Sequence, residues 1–312
     1  MKKITEKKAV TQALKEQKGF QKIATELGVS KYKIRAIIRN LVIENLRKEY
    51  DSRYEGGFRS TPVTKTKNAK KIAVVLSDIH IPFHDQQALG CTLAYMKDLK
   101  PDVIVLNGDI IDCYPISKFM KDPLRIETLQ DEFDEAQDFM ALLRKNHPKA
   151  QIAYIMGNHE FRLEKILIDK APGLYGLRCL SLDELLGISK FKITFVDDSI
   201  MLGKLEVTHG ASARSQPGGS VSAHFNRYHR STLIGHIHKL NITRRTAGGE
   251  IFTLAENGCL CELDADYLAL PGDWQQGFTV VEFSKSTGDF EVRQCHIDKG
   301  ELVVGDVRYT AG

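Results

Sequence analysis

Five short apolar runs in this 312-residue chain end in the same chemistry. Ile72–Leu76 leads into Asp78 and His80 within "LSDIHIPFH", Val103–Leu106 into "NGDIID", Ile152–Met156 into "GNHE", Leu205–Thr208 into His209-Gly210, and Thr232–Ile234 into "GHIH". A continuous apolar run of this length reads as a strand covered on both faces. Each is followed at once by an acid, an amide or an imidazole, usually beside a glycine. In open α/β folds the carboxyl ends of neighbouring strands converge on one crevice, so these polar groups are expected to meet although they span about half the chain.

The rest of the pattern fits that frame. Helical stretches near Gln86–Leu99 and Glu127–Asn146 separate the first strands, which predicts a largely parallel sheet with helix-covered faces. The C-terminal third changes to short strands around Phe191–Val196, Ile200–Thr208, Leu240–Arg245, Ile251–Ala255, Gly277–Phe283 and Phe290–His296. Ala247–Gly249 and Ser286–Asp289 read as hairpin turns. The six cysteines are scattered, with no C-x-x-C pair and no secretory signal, and are expected to be buried small hydrophobes. No run approaches the roughly 20 apolar residues of a membrane span, so a cytoplasmic protein without membrane contact is expected.

Two carboxylates and several neutral imidazoles, with no thiolate, make a mixed hard and borderline ligand set. It suits manganese first, with iron, zinc or nickel as alternatives, and argues against calcium or an iron–sulfur cluster. The donors are too many for one ion. A pair of divalent ions sharing one carboxylate would use them all and matches a two-metal hydrolytic site.

Taken in order, Asp78-x-His80, Gly108-Asp109-x-x-Asp112, Gly157-Asn158-His159-Glu160, His209-Gly210 and Gly235-His236-x-His238 resemble the calcineurin-like metallophosphoesterase superfamily. The resemblance covers Ile72 to about Phe283. It implies an α/β fold, an αββα sandwich of two packed mixed sheets flanked by helices, with the site at the shared edge of the sheets. It implies that Asp78, His80 and His238 hold the first ion, that Asn158, His209 and His236 hold the second, and that Asp109 bridges them. His159 is expected at the leaving group as an acid or a cationic stabiliser, with Asp112 keeping it charged and oriented, or else capping a helix. Glu160 is expected to cap the helix that starts there. The segment Glu256–Phe278 resembles a rim found in phage- and bacterium-encoded members, and its Trp274 either stacks on a base or packs on a strand.

Departures bear on substrate. The serine/threonine phosphatase branch carries two phosphate-gripping arginines where this chain has Cys113-Tyr114 and Met156, which demotes a phosphoprotein substrate. The loop Ala211–Arg230, tethered to the site at both ends, offers Arg214 as a phosphate contact. His224, Arg227, His229 and Arg230 read instead as the outer face of a helix.

Residues 1 to 70 hold 18 Lys and Arg against 7 Asp and Glu, whereas the remainder holds 26 against 33. A basic arm on an acidic body suggests a polyanion partner. Within it, Ala24, Gly28 and Ile34 have helix-turn-helix spacing, Ser30 is placed to cap the second helix, and Lys31, Tyr32, Lys33, Arg35 and Arg39 would decorate a groove-reading face. The expected organisation is a small all-α basic domain over 1–50, a linker over 51–70 and a phosphoesterase domain over 71–312. The expected activity is hydrolysis of a phosphodiester in nucleic acid or a nucleotide, with DNA held by the N-terminal helices and a homo-oligomer allowed. Phosphomonoester or phosphoprotein hydrolysis is the alternative, and a DNA-binding protein with a non-catalytic scaffold is the remotest reading.

Overall fold

The computed structural model describes residues 2–16, 20–30, 33–41, 44, 70–118, 121, 126–264 and 272–311. The chain divides into two compact units, Met1–Thr66 and Lys67–Gly312.

The first unit contains α1 (Lys2–Lys15), α2 (Phe20–Leu27) and α3 (33–41). Val10, Ala13, Ile23, Ala24 and Ile34 form its core, flanked by Leu27, Val29, Ile37 and Ile38. Gly28, at φ +61°, turns the chain out of α2. Ser30 Oγ accepts the Lys33 N–H at 3.2 Å, as a cap of α3 should. Lys33, Arg35 and Arg39 are exposed on α3, whereas Lys31, Tyr32 and the linker short of Lys70 lie outside the described residues.

The second unit is built on two sheets. The larger contains β1 (Lys71–Leu76), β2 (Val103–Asn107), β3 (Gln151–Ile155) and β4 (Ile193–Val196), all parallel in that spatial order. Against the free side of β1 runs β10 (Gly277–Phe283), antiparallel, followed by β11 (Phe290–Asp298), β12 (Glu301–Val304) and β13 (Val307–Thr310). The smaller sheet has five strands, β5 (Ser199–Leu202), β6 (Leu205–Thr208), β7 (Thr232–Ile234), β8 (Leu240–Ala247) and β9 (Glu250–Asn257), in the order β5-β6-β7-β9-β8.

Period-two side-chain alternation sorts the core into layers. On β1, Val74 and Leu76 face α4 (Gln86–Leu99) and α5 (Leu129–Asn146), joining Met96, Phe133 and Met140. Ala73 and Val75 face the other way and meet Leu205, Val207, Leu233 and Ala255 of the smaller sheet. The outer face of that sheet is covered by α7 (Gly219–Tyr228) through Val221 and Phe225. The layering is therefore αββα. Asp85 caps α4, and a Thr128–Asp131 capping box starts α5.

The larger sheet is mixed, as the family resemblance implies: β10 to β13 extend the parallel strands in antiparallel pairing beyond β1. The run Ile200–Thr208 is a hairpin of β5 and β6, since Gly203 takes φ +65° and reverses the chain. The β12–β13 hairpin was not expected. Five of the cysteines are buried as expected, but Cys179 is exposed. Among the described residues, no helix is long and apolar enough to cross a membrane.

Candidate metal centre

The seven expected ligands come from the ends of five strands, and the fold brings them together. Asp78, His80 and His238 place one donor atom each within 4.8 Å of one another, and so do Asp109, His209 and His236. Asn158 Oδ1 abuts the second group, 3.3 Å from His209 Nε2. Asp109 lies between the groups, its Oδ2 3.2 Å from His209 Nε2 and 4.0 Å from His80 Nε2. Gly157 makes room for it, because a Cβ there would stand 2.2 Å from Asp109 Oδ1.

The turns that carry these donors are unusual. Asp78, His80, Asp109, His236 and His238 all have φ between +51° and +71°, the left-handed region that costs non-glycine residues about 1–2 kcal/mol each. Such conformations persist where the surroundings over-determine them, and here hydrogen bonds do so. Asp78 N donates to Gly108 O, His80 N to Asp109 O, and His236 N to both oxygens of Asp78. Two asparagines stitch the sheets beside the site: Asn107 Nδ2 donates to Thr208 O, and Asn257 Nδ2 to Val75 O.

Three of the four imidazoles are aimed by their other nitrogen. Nδ1 of His80 meets Asp112 Oδ2 at 3.0 Å, Nδ1 of His209 donates to Asn107 O at 2.8 Å, and Nδ1 of His238 lies 3.8 Å from Cys261 Sγ. This leaves Nε2 of all three turned inward, an arrangement typical of metal-binding histidines. The Nε2 atoms of His80 and His238 are 3.1 Å apart, the spacing expected of two nitrogens each about 2.1 Å from one ion. His236 Nδ1 is buried without a partner. The residues therefore fit divalent cations.

The field of the site favours positive charge as well. Burial alone would lower His209, but the charge and hydrogen bond of Asp109 raise it to about 10. His238 is likewise raised to about 10 against its burial, by Cys261 and Asp78. Burial would raise Asp109, yet His209 and then His159 hold it well below the usual carboxylate range. His236 is lowered, by burial and by the charge of His209.

His159 and Asp112 adjoin this centre. His159 Nδ1 is 3.1 Å from Asp112 Oδ2 and 3.0 Å from Asp112 O, and its Nε2 is 3.8 Å from Asp109 Oδ2. Burial would lower His159, but Asp112 and Asp109 raise it. Asp112 is thus shared by His159 and His80.

Two neighbours escaped the sequence reading. Arg162 donates from Nη1 to Asp112 O (2.8 Å) and Oδ1 (3.1 Å), and its Nη2 is 3.0 Å from His159 Nε2. It lies one helical turn beyond His159 on α6 (Phe161–Lys170), and that i, i+3 spacing was the available signal. Glu160, expected as a helix cap, has helical φ and ψ and makes no capping bond. Fully buried, it accepts instead from the N–H groups of Asp109, Ile110, Ile111 and Gly157 and from the Tyr154 hydroxyl.

Arg214 stays apart. Its side chain is exposed, its N–H is given to Ser220 Oγ, and among the described residues no hydrogen bond joins its side chain to the centre. His224 and Arg230 pair with Glu206. Trp274 sets its ring edge-on to His238, with centroids 4.2 Å apart. Beside it, Lys239 Nζ holds Asp273 Oδ2 (2.8 Å) and the Ser215 carbonyl, tying the loop after β6 to the segment before β10.

A two-sheet sandwich with paired donor groups at the strand ends defines a metallophosphoesterase. The family model for calcineurin-like phosphoesterases matches residues 73–240, more than half of the chain, and the chain belongs to that family. Among curated relatives, Gene 54 protein of Mycobacterium phage L5 is 27% identical over 227 residues, covering 68% of this chain and 88% of its own. Gene 54 protein of Mycobacterium phage D29 is 27% identical over 226 residues with the same coverage. Among solved structures, vacuolar protein sorting 29 from Cryptosporidium parvum aligns at a TM-score of 0.41 with 14% identity, covering 77% of this chain and 98% of that one. Zinc-complexed Vps29 from Entamoeba histolytica aligns at 0.39 with 12% identity, covering 77% and 99%.

Proposed function

We propose that the chain hydrolyses a phosphodiester, in nucleic acid or a nucleotide, with manganese as the preferred metal. The observation that carries the reading is the pair of donor groups meeting at Asp109, with His159 and Arg162 on the adjoining side. Asp78, His80 and His238 would hold one cation, Asn158, His209 and His236 the other, and Asp109 both. Two divalent cations held there supply a water of lowered pKa and neutralise charge on the phosphoryl oxygens.

The chain's own groups do the rest. Asp112 fixes the rings of His80 and His159 through their Nδ1 atoms. The contact between Arg162 Nη2 and His159 Nε2 suits a neutral imidazole, whereas the nearby carboxylates favour its cation. An incoming phosphoryl oxygen reconciles the two, because it accepts from both groups. His159 is then placed to give its Nε2 proton to the leaving oxygen. Arg162, beside His159, would supply the phosphate recognition absent at Met156 and Cys113-Tyr114.

A diester is favoured over a monoester by the basic N-terminal unit, whose exposed Lys33, Arg35 and Arg39 offer a polyanion contact. The test compares bis(p-nitrophenyl) phosphate, p-nitrophenyl phosphate and DNA with the full chain and Mn²⁺. The diesters should be cleaved faster, and Asp109→Ala should lower the rate about 10³-fold, the equivalent of several kcal/mol of charge stabilisation. Activity that survives Asp109→Ala overturns the reading, and a preference for the monoester replaces diester by monoester hydrolysis.

A further inference from the structure

We infer that the outer face of α7 is a track for the sugar–phosphate backbone of a nucleic-acid strand, with Arg214 at its near end and Arg227 and Arg245 at its far end. This rests on the phosphoester reading of the metal centre, from which the track leads away.

Charge singles out this face. Over residues 71–312 Asp and Glu outnumber Lys and Arg by 33 to 26, yet residues 207–253 hold six Lys and Arg and a single acid, Glu250. The neighbouring acids are engaged: Glu206 by His224 and Arg230, Asp273 by Lys239, and Glu256 by the N–H groups of Gly218 and Val221. Arg214, Arg227 and Arg245 are exposed, and among the described residues none of them pairs with an acid.

The topology fixes where the face lies. β6 ends at His209 and β7 ends at the turn of His236 and His238, and the two strands are parallel. The helix that joins them, α7, therefore starts at the edge of the sheet that holds the centre and runs to the opposite edge. At its start Gly218 N–H is held by Glu256, which is the register partner of Ile234 at the end of β7. Lys239, next to His238, holds the Ser215 carbonyl and so moors the loop that carries Arg214. Arg214 lies against the first turn of α7, its Cβ 3.0 Å from the place a Gly219 Cβ would take. At the far end Arg245 Nη1 donates to Asn226 Oδ1 at 2.7 Å, and Arg227 lies over the ring of the exposed Tyr228.

Val221 and Phe225 turn inward, which leaves Gly219, Ser222, Ala223, Asn226 and Arg227 on the outward side, with no acid among them. From Gly219 to Asn226 the helix rises about 10 Å. From Phe252, the register partner of Arg245, to Glu256 the strand β9 rises about 13 Å. One strand of nucleic acid advances about 3.4 Å per nucleotide, so the two ends of the track stand about 3–4 nucleotides apart. A strand with its scissile linkage at the centre would meet Arg227 and Arg245 with phosphates further along, and Tyr228 offers a ring beside them for stacking.

The test measures binding of a fluorescent oligothymidylate of about 12 nucleotides, with phosphorothioate linkages that resist cleavage, by anisotropy on the full chain. Mn²⁺ is held fixed and KCl is varied. Each single-strand phosphate contact contributes about 0.7 to the log–log salt slope, so Arg214→Gln/Arg227→Gln/Arg245→Gln should flatten it by about 2. Carried over the decade from about 1 M to about 0.1 M salt, that is about a 100-fold loss of affinity at the lower concentration. The same loss should appear when Lys33, Arg35 and Arg39 are already replaced by Glu, because the N-terminal unit makes a separate contact. Arg244 adjoins Arg245 on β8 but alternates to the other face of the strand. Arg245→Gln should therefore lower the slope by about 0.7 and Arg244→Gln should leave it as it is.

An unchanged slope in the triple variant, shown by circular dichroism to be folded, overturns the inference, and so do equal losses in Arg244→Gln and Arg245→Gln. Retained oligonucleotide binding together with lost binding to phosphatidylserine vesicles also overturns it and makes the face a membrane contact. Hydrolysis of bis(p-nitrophenyl) phosphate, which is too short to reach the track, keeps the two readings distinguishable. Turnover of that reporter with an unchanged slope sinks only the track, whereas a flattened slope without turnover sinks only the phosphoesterase reading.

Discussion

Glu160→Gln tests the assembly of the centre most directly. Glu160 Oε2 accepts from Asp109 N (3.1 Å) and Gly157 N (2.8 Å), and Oε1 from Ile110 N (2.7 Å), Ile111 N (3.3 Å) and Tyr154 OH (2.7 Å). Burial and the charge of Asp109 raise its carboxyl, and the Tyr154 hydrogen bond opposes them. Glutamine keeps the shape but offers a single acceptor atom. With its oxygen at Oε1, its NH₂ confronts the N–H groups of Asp109 and Gly157, and both are left buried and unsatisfied. At about 1–3 kcal/mol for each, the loss is about 2–6 kcal/mol. For a unit of this size that lowers the melting temperature by roughly 5–20 °C. Thermal unfolding followed by circular dichroism reads this, and calorimetric Mn²⁺ titration should show weaker binding, because Asp109 and Asn158 lose their anchor. A midpoint within about 2 °C of wild type, together with unchanged metal affinity, would show that the carboxylate does not hold the two loops.

Three other outcomes are expected. Arg162→Lys keeps the charge but loses the planar fork, so kcat on a diester reporter should fall about 10-fold, and Arg162→Ala should fall further; full activity in Arg162→Ala removes it from phosphate recognition. Glu132 is raised from 4.5 to about 8, first by burial and then by the charge of Asp112. The folded state then keeps a proton that the unfolded chain has released, so stability declines as pH rises from about 4.5 to about 8. Glu132→Gln should match wild type near pH 4.5 in urea denaturation and exceed it by up to about 5 kcal/mol above pH 8, and parallel pH profiles would contradict the assignment. Replacing Lys33, Arg35 and Arg39 together by Glu should weaken DNA binding and flatten its log–log salt dependence by about 2–3; an unchanged slope places the DNA contact elsewhere.

The metal ligands were legible because each follows its strand within four residues, so that a local motif marks the end of a buried run. The layers were legible for a related reason: Val74 and Leu76 on one face and Ala73 and Val75 on the other form a run without polar interruption, which requires cover on both sides. What the sequence hid depends on distance. Glu160 has four of its five partners at positions 109 to 111 and 157, three of them about 50 residues away, and as a lone acid at the head of a helix it looks like a cap. Glu132 sits within "LQDEFDEAQDF", where any of several acids could face solvent, and only packing shows which one turns inward. The β5–β6 reversal depends on Gly203, one glycine inside an apolar stretch.

Each donor group draws on both sheets. Asp78 and His80 follow β1 of the larger sheet while His238 follows β7 of the smaller, and Asp109 and Asn158 face His209 and His236 across the same seam. An ion seated in either group would act as a rivet through the sandwich, so sliding one layer over the other would require breaking its coordination. Occupancy should therefore be felt far from the chemistry, as slower amide exchange along the facing strands Val103–Asn107 and Leu205–Thr208.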